Sequence, residues 1–202
     1  TCVDWFRNYF NDGPMHGAWD RFWADEDGLM ASFEAMWTLM ATEAWVHDNV
    51  IGFEIINEPA HGNTDEEVWA PEVLTPFYER MADVVRVPAP DALVFFDSTG
   101  LDAVDQETLV TRPDREGMVF APHFYEAAAF LGMLSGGDYD PNEGLARWAA
   151  QRDAWDLPTI VGEFGIKPAE NVAFEYMSAV YDGMDSNLLH ATIWEVSTTE
   201  DD

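Results

Sequence analysis

Val50-Ile51-Gly52-Phe53-Glu54-Ile55-Ile56-Asn57-Glu58-Pro59 is the stretch on which the fold turns. It opens as a short, apolar, β-branched run, which reads as a buried strand, and it closes on polar residues and a proline. Just before it, Leu29 to His47 reads as a helix. Met30, Phe33, Met36, Trp37, Met40, Ala41 and Ala44 recur there at spacings of three and four, an apolar stripe expected to pack in the core. After it, a helix is expected from about Pro71 to Val87, with Pro71 near its first turn. Further strands follow at Leu93–Asp97, Met118–His123, Pro158–Phe164 and His190–Val196, with helices at Asn142–Trp155 and Ala169–Tyr181. Thr1 to Asp27, rich in aromatics and in the turn formers Asn11-Asp12-Gly13-Pro14, reads as irregular.

Apolar strands alternating with helices imply a parallel sheet in an α/β fold. Five such strands fit either an open doubly wound sheet or part of a (β/α)8 TIM barrel. The strand ends favour the barrel. Asn57 and Glu58, Asp97, His123 and Tyr125, Glu163, and Trp194 and Glu195 all stand at C-terminal strand ends, where barrels gather their chemistry. The Gly-rich strand-to-helix turn of a dinucleotide site is missing from the sequence; Gly136-Gly137 is an isolated pair.

Composition excludes several functions. The 202 residues are 48% apolar and 14% aromatic, enough to fill a core. A net charge of −30, with Lys167 the sole lysine, excludes nucleic acid and anionic membranes as partners of a basic surface. No apolar run reaches the roughly 18 residues of a membrane span. The charge fits either a well-solvated acidic enzyme or an adaptation to high salt. Cys2 is the single cysteine, so an internal disulfide and a thiolate metal cluster are both excluded. The chain opens on Thr1 without a leader pattern, so it is expected to begin partway through a longer protein, and its localisation stays open.

Two acids stand apart from the acidic surface. Glu58 and Glu163 each end an apolar run, where partial burial and mutual repulsion split two carboxyl groups into an acid and a nucleophile. Their surroundings, Asn57-Glu58-Pro59 and Gly162-Glu163-Phe164-Gly165, resemble the retaining (β/α)8 glycoside hydrolases, and family 5, the cellulase family, in particular. Pro122-His123-Phe124-Tyr125 and Ile193-Trp194-Glu195 match further motifs of that family in the same order. The resemblance implies that Glu58 is the general acid/base and Glu163 the nucleophile, about 5–5.5 Å apart. It implies that Tyr125 hydrogen-bonds the nucleophile, His123 lines the sugar site, Asn57 contacts the sugar 2-hydroxyl and Trp194 forms a platform beneath the reacting sugar. Asp25-Glu26-Asp27-Gly28-Leu29, Ile51–Pro59 and Leu188–Thr192 are similar to endoglycoceramidase-type members, which implies a carbohydrate or glycolipid substrate.

The same resemblance implies that residues 1–202 correspond to strands four to eight of the barrel, without strands one to three or the last helix. The Arg and His that the family carries on those early strands have no counterpart here. The chain alone is therefore expected to be inactive or to aggregate. Neither cofactor nor metal is implied. Asp138-Tyr139-Asp140-Pro141-Asn142 imitates the start of a calcium loop but has Glu143 at the sixth position and Ala149 at the twelfth. Glu54 shares strand parity with Glu58 and is expected to face the barrel lumen. Asp97 reads as a loop cap, Glu43 and His47 as a surface pair, and His61 as a residue near the leaving group. Phe130-Leu131-Gly132-Met133-Leu134 reads as loop or helix core, or as a lipid-facing surface. A non-catalytic sugar- or lipid-binding relative and a transglycosylase are the competing functions.

Overall fold

The computed structural model describes residues 13–126, 139–166 and 172–195. Cys2, the Phe130–Leu134 stretch, Asp138 of the calcium-like loop, Lys167 and Val196 lie outside the described residues. The elements run α1 (Gly13–Trp23), a 3-10 turn (Glu26–Gly28), α2 (Leu29–Ala44), β1 (Gly52–Glu54), α3 (Glu66–Trp69), a π turn (Ala70–Leu74) and α4 (Thr75–Arg86). They continue with β2 (Leu93–Phe96), α5 (Asp102–Asp105), β3 (Met118–Phe120), β4 (His123–Phe124), α6 (Pro141–Trp155), β5 (Ile160–Phe164), α7 (Ala173–Asn187) and β6 (His190–Ile193). Strands are hydrogen-bonded in the orders β1-β2-β3 and β4-β5-β6. The β4–β5 and β5–β6 pairs are parallel, as strands joined through helices must be. Among the described residues no helix is long and apolar enough to cross a membrane.

The expected third strand, Met118–His123, is split into β3 and β4. Pro122 has no N–H to give to a ladder, but its carbonyl still accepts from Gly162 N at 2.9 Å, so the parallel run continues past the break.

Two compact units divide the chain: Thr1–Val94 with Leu109–Met118, and Phe95–Thr108 with Val119–Asp202. In the first, α4 buries Phe77, Tyr78, Met81, Ala82 and Val85. Here the structure corrects the sequence reading twice. The supposedly irregular N-terminal segment forms α1, with Pro14 in its first turn, where a missing N–H costs little. Its aromatics at helical spacing bind it down: Trp23 packs edge-on to Trp69 at 5.3 Å between ring centroids, and Phe22 edge-on to Phe33 at 5.4 Å. The α2 stripe is narrower than expected. Met30 and Ala41 are buried and Phe33, Trp37 and Ala44 half-buried, but Met36 and Met40 are 46% and 51% exposed. They stand about one residue's rotation, roughly 100°, away from the line through Met30, Phe33, Trp37 and Ala41. Glu54 is exposed, on the face of the pleat opposite the buried Phe53 and Ile55.

In the second unit, α6 packs on α7 and the core gathers Phe96, Phe120, Trp148, Leu145, Val161, Phe164, Tyr176 and Val180. The helix expected to stop near Tyr181 runs on to Asn187 and buries Met184. Glu43 and His47 are both exposed, as expected of a surface pair.

Candidate active site

The second unit holds Glu163 on β5, directly opposite His123 on β4 in the parallel register. A bulge aims it. Ile160 faces His190 and Val161 faces Ala191, but Phe164 faces Ile193, so Gly162 and Glu163 are opposed by Thr192 alone. An extra residue bends the strand and re-aims the side chain that it carries. Gly165 explains the glycine of its motif. A Cβ there would land on the carbonyl oxygen of Trp194, whose own N–H donates to Phe164 O at 2.8 Å.

Two side chains converge on the Glu163 carboxylate, which is 17% exposed. The Tyr125 hydroxyl donates to Oε1. His123 Nδ1 lies 3.6 Å from Oε2, ion-pair range rather than hydrogen-bond range. His123 itself is 2% exposed, with Trp148 Nε1 donating to its carbonyl at 3.1 Å. Tyr125 is fixed through its backbone: its N–H donates to Ala103 O at 2.8 Å and its carbonyl accepts from Gln106 Nε2 at 3.3 Å. Trp194 is 59% exposed, and the Trp194–Glu195 peptide is cis.

Asp97, read as a loop cap, is buried and also reaches His123. Its side chain is 1% exposed, with Oδ2 3.3 Å from His123 Nε2. Its Oδ1 accepts from Ser98 N at 2.7 Å. The signal was present in the sequence, since Asp97 ends an apolar strand just as Glu58 and Glu163 do. Glu126, next to Tyr125, was not singled out at all. Its Oε1 accepts from Asp140 N at 3.3 Å, while its Oε2 is buried without a hydrogen-bond partner among the described residues. Burial holds its carboxyl above the usual carboxylate range.

The first unit holds Asn57, exposed, and Glu58, half-buried. Glu58 adopts φ 39°, a left-handed conformation uncommon for a residue with a Cβ, immediately before the buried Pro59. The loop beyond is tied to α1. Trp23 Nε1 donates to Ala60 O at 2.8 Å, and the Asp20 carboxylate accepts from Asn63 N at 2.8 Å and Asn63 Nδ2 at 2.6 Å. Those bonds hold the Asp20 carboxyl below the usual range. Gly62, at φ +65°, leaves room for this clamp, because a Cβ would strike Asp20 Oδ1. His61 turns its Nδ1 to Thr64 O at 2.6 Å and packs edge-on to Trp69. The Asp20–Asn63 clamp has no local signature, because its partners lie far apart in the chain.

The family model for cellulase, glycosyl hydrolase family 5, matches residues 2–200. No curated protein matches the sequence. Among solved structures, the chain is similar to endo-glycoceramidase II from Rhodococcus sp., with a TM-score of 0.77 and 20% identity over 89% of this chain and 44% of that one. It is similar to an endogalactoceramidase, with a TM-score of 0.79 and 22% identity over 90% of this chain and 40% of that one. The cellulose synthase subunit Z of Clostridioides difficile gives a TM-score of 0.68 and 18% identity over 82% of this chain and 60% of that one. The chain thus spans less than half the length of the first two. These likenesses bear out the fold class, part of a (β/α)8 barrel.

Proposed function

The chain belongs to the cellulase family, glycosyl hydrolase family 5, and on that premise we propose that it carries the catalytic half of a retaining β-glycoside hydrolase. The Glu163 carboxylate attacks the anomeric carbon while Glu58 gives its proton to the departing glycosidic oxygen. The carbon–oxygen bond breaks and a glycosyl ester of Glu163 forms. Glu58, now ionised, takes a proton from water, the water oxygen attacks the same carbon, and the Glu163 carboxylate leaves. Two inversions give net retention. Asn57, His123, Tyr125 and Trp194 are the proposed substrate-binding residues, with the indole face of Trp194 under the apolar face of the sugar.

The observation that carries this reading is the convergence of Tyr125 and His123 on Glu163. A nucleophile must be ionised and pointed before substrate arrives, and a hydroxyl donor with an imidazole beside one carboxylate does both. For substrate class we propose a β-linked glycolipid. That rests on the likeness to endo-glycoceramidase II, one of whose structures is a ganglioside GM3 complex and another a lactosyl-enzyme intermediate. We further propose that residues 1–202 alone give no turnover and that activity belongs to a longer chain.

The test is trapping. A 2-deoxy-2-fluoro β-glycoside with a good leaving group, added to the full-length protein, should leave one sugar on the peptide that carries Glu163. Labelling of another carboxylate, or turnover by the product-inverting route, would refute the assignment. Clear turnover by residues 1–202 alone would refute the need for a longer chain.

A further inference from the structure

A buried acid sits behind the proposed nucleophile, and the reaction as written gives it no task. Asp97, at the end of β2, has one oxygen on Ser98 N and the other 3.3 Å from His123 Nε2, and both side chains are almost wholly enclosed. The other nitrogen of the same ring, Nδ1, faces Glu163 Oε2 at 3.6 Å. One imidazole therefore stands between two acids contributed by two different strands.

Donor and acceptor accounting then restricts the proton count. An ionised carboxylate only accepts, and a neutral imidazole has one N–H and one bare lone pair. With both acids ionised, a neutral His123 would turn that lone pair on one of them. In an enclosed site this repulsion is weakly screened, and a buried carboxylate without a counter-charge is costly. A proton on each ring nitrogen removes the conflict. We propose that Asp97 is a positioning residue that holds His123 as an imidazolium behind Glu163, so that a fixed positive charge keeps the nucleophile ionised.

The proposal rests on Glu163 being the nucleophile. Around His123 in the second unit stand Asp97 just after β2, Glu163 from β5, the Tyr125 hydroxyl on the far oxygen of Glu163, and the Trp148 indole at its carbonyl. Glu58, the third carboxylate of the proposed site, gains and loses its proton during turnover and so cannot be the lasting counter-charge. Asp97 can, because its carboxylate is buried against the ring and the proposed reaction gives it no proton to carry. In the second half of the reaction the same imidazolium favours departure of the Glu163 carboxylate from the sugar.

The experiment is histidine 15N NMR on the full-length protein, with the His123 ring assigned through its own backbone. Both ring nitrogens should stay protonated well above the ordinary histidine pKa of about 6.5. In Asp97→Asn, which keeps the size and can still accept from the ring, His123 should lose a proton near neutral pH; Asp97→Glu should restore the cation. The acid limb of the kcat/KM profile should rise by about one to two pH units in Asp97→Asn, since Glu163 loses an adjacent positive charge, while KM changes little. A neutral His123 at pH 7 in the wild-type protein overturns the proposal, whatever the activity. An unmoved acid limb in a folded Asp97→Asn protein overturns it as well. Should trapping label a carboxylate other than Glu163, the catalytic reading falls, while the NMR still decides the state of His123.

Discussion

Glu163 is held at its carboxylate by Tyr125 and His123, whereas the loop that follows Glu58 is held through its backbone. Around Glu163, a hydroxyl and an imidazole approach the carboxylate itself, and a strand bulge aims it. Around Glu58, the ties fall two to five residues downstream, at Ala60 and Asn63, and the residue itself takes a left-handed backbone turn. The contrast suits the proposed division of labour. A nucleophile must keep one charge state and one direction, so donors are aimed at its oxygens. An acid/base must pass a proton in both directions, so the position of its loop matters as much as any single contact of its carboxyl group.

The largest expected effects separate the two. Glu163→Gln should lower kcat roughly 10⁴-fold or more with every substrate, because no other group forms the ester. Glu58→Gln should cost about 10²–10⁴-fold with poor leaving groups and far less with activated aryl glycosides, which depart without a proton. Steady-state rates over a leaving-group series measure the difference. Equal losses across the series for both variants would erase the distinction.

A smaller test asks whether the grip on Glu163 depends on close backbone approach. Gly165→Ala puts a methyl group onto the Trp194 carbonyl. Overpacking of this kind costs about 1–3 kcal/mol. The neighbouring pairing of Trp194 N with Phe164 O should weaken with it, so melting temperature and kcat should fall together. Loss of kcat without loss of stability would mean that Trp194 acts on the sugar independently of this packing.

Much of this contrast was legible in the sequence. Asn57-Glu58-Pro59 and Gly162-Glu163-Phe164-Gly165 each end an apolar, β-rich run, and the strand–helix alternation carried the fold class. What escaped was whatever depends on distance in the chain. Asp20 and Asn63 are 43 residues apart, and nothing local to either marks the bond. Asp97 needed the position of His123, 26 residues on, to become more than a strand-end acid. The α1 helix was hidden by Asn11-Asp12-Gly13-Pro14, which reads as a turn but in part opens a helix. The bulge in β5 is invisible because register is a property of two strands, not one.

The smallest predictions set two acids outside the catalytic pair against each other, one on each side of the comparison. Asp20 ties the Glu58 loop to α1, and its carboxyl is held low by the Asn63 side-chain and backbone N–H groups. A depressed folded pKa means that its contribution is present above the ordinary Asp value near 4 and is lost as pH falls through the folded value. Asp20→Ala should remove about 1 kcal/mol at neutral pH and nothing in strong acid. Glu126 follows Tyr125, on the Glu163 side, and burial holds its carboxyl high. Here the folded state keeps a proton that the unfolded chain has already released, so stability falls as pH rises from the ordinary Glu value of about 4.3 through the folded value. Glu126→Gln, which stays neutral, should abolish that fall and leave the melting temperature higher than wild type at neutral pH. Thermal melts across this range should therefore show opposite slopes removed by the two substitutions. Slopes of the same sign would mean that the acids flanking the two proposed catalytic carboxylates are held by the same physics, and the contrast between a grip on the side chain and a grip on the loop would not extend beyond the carboxylates themselves.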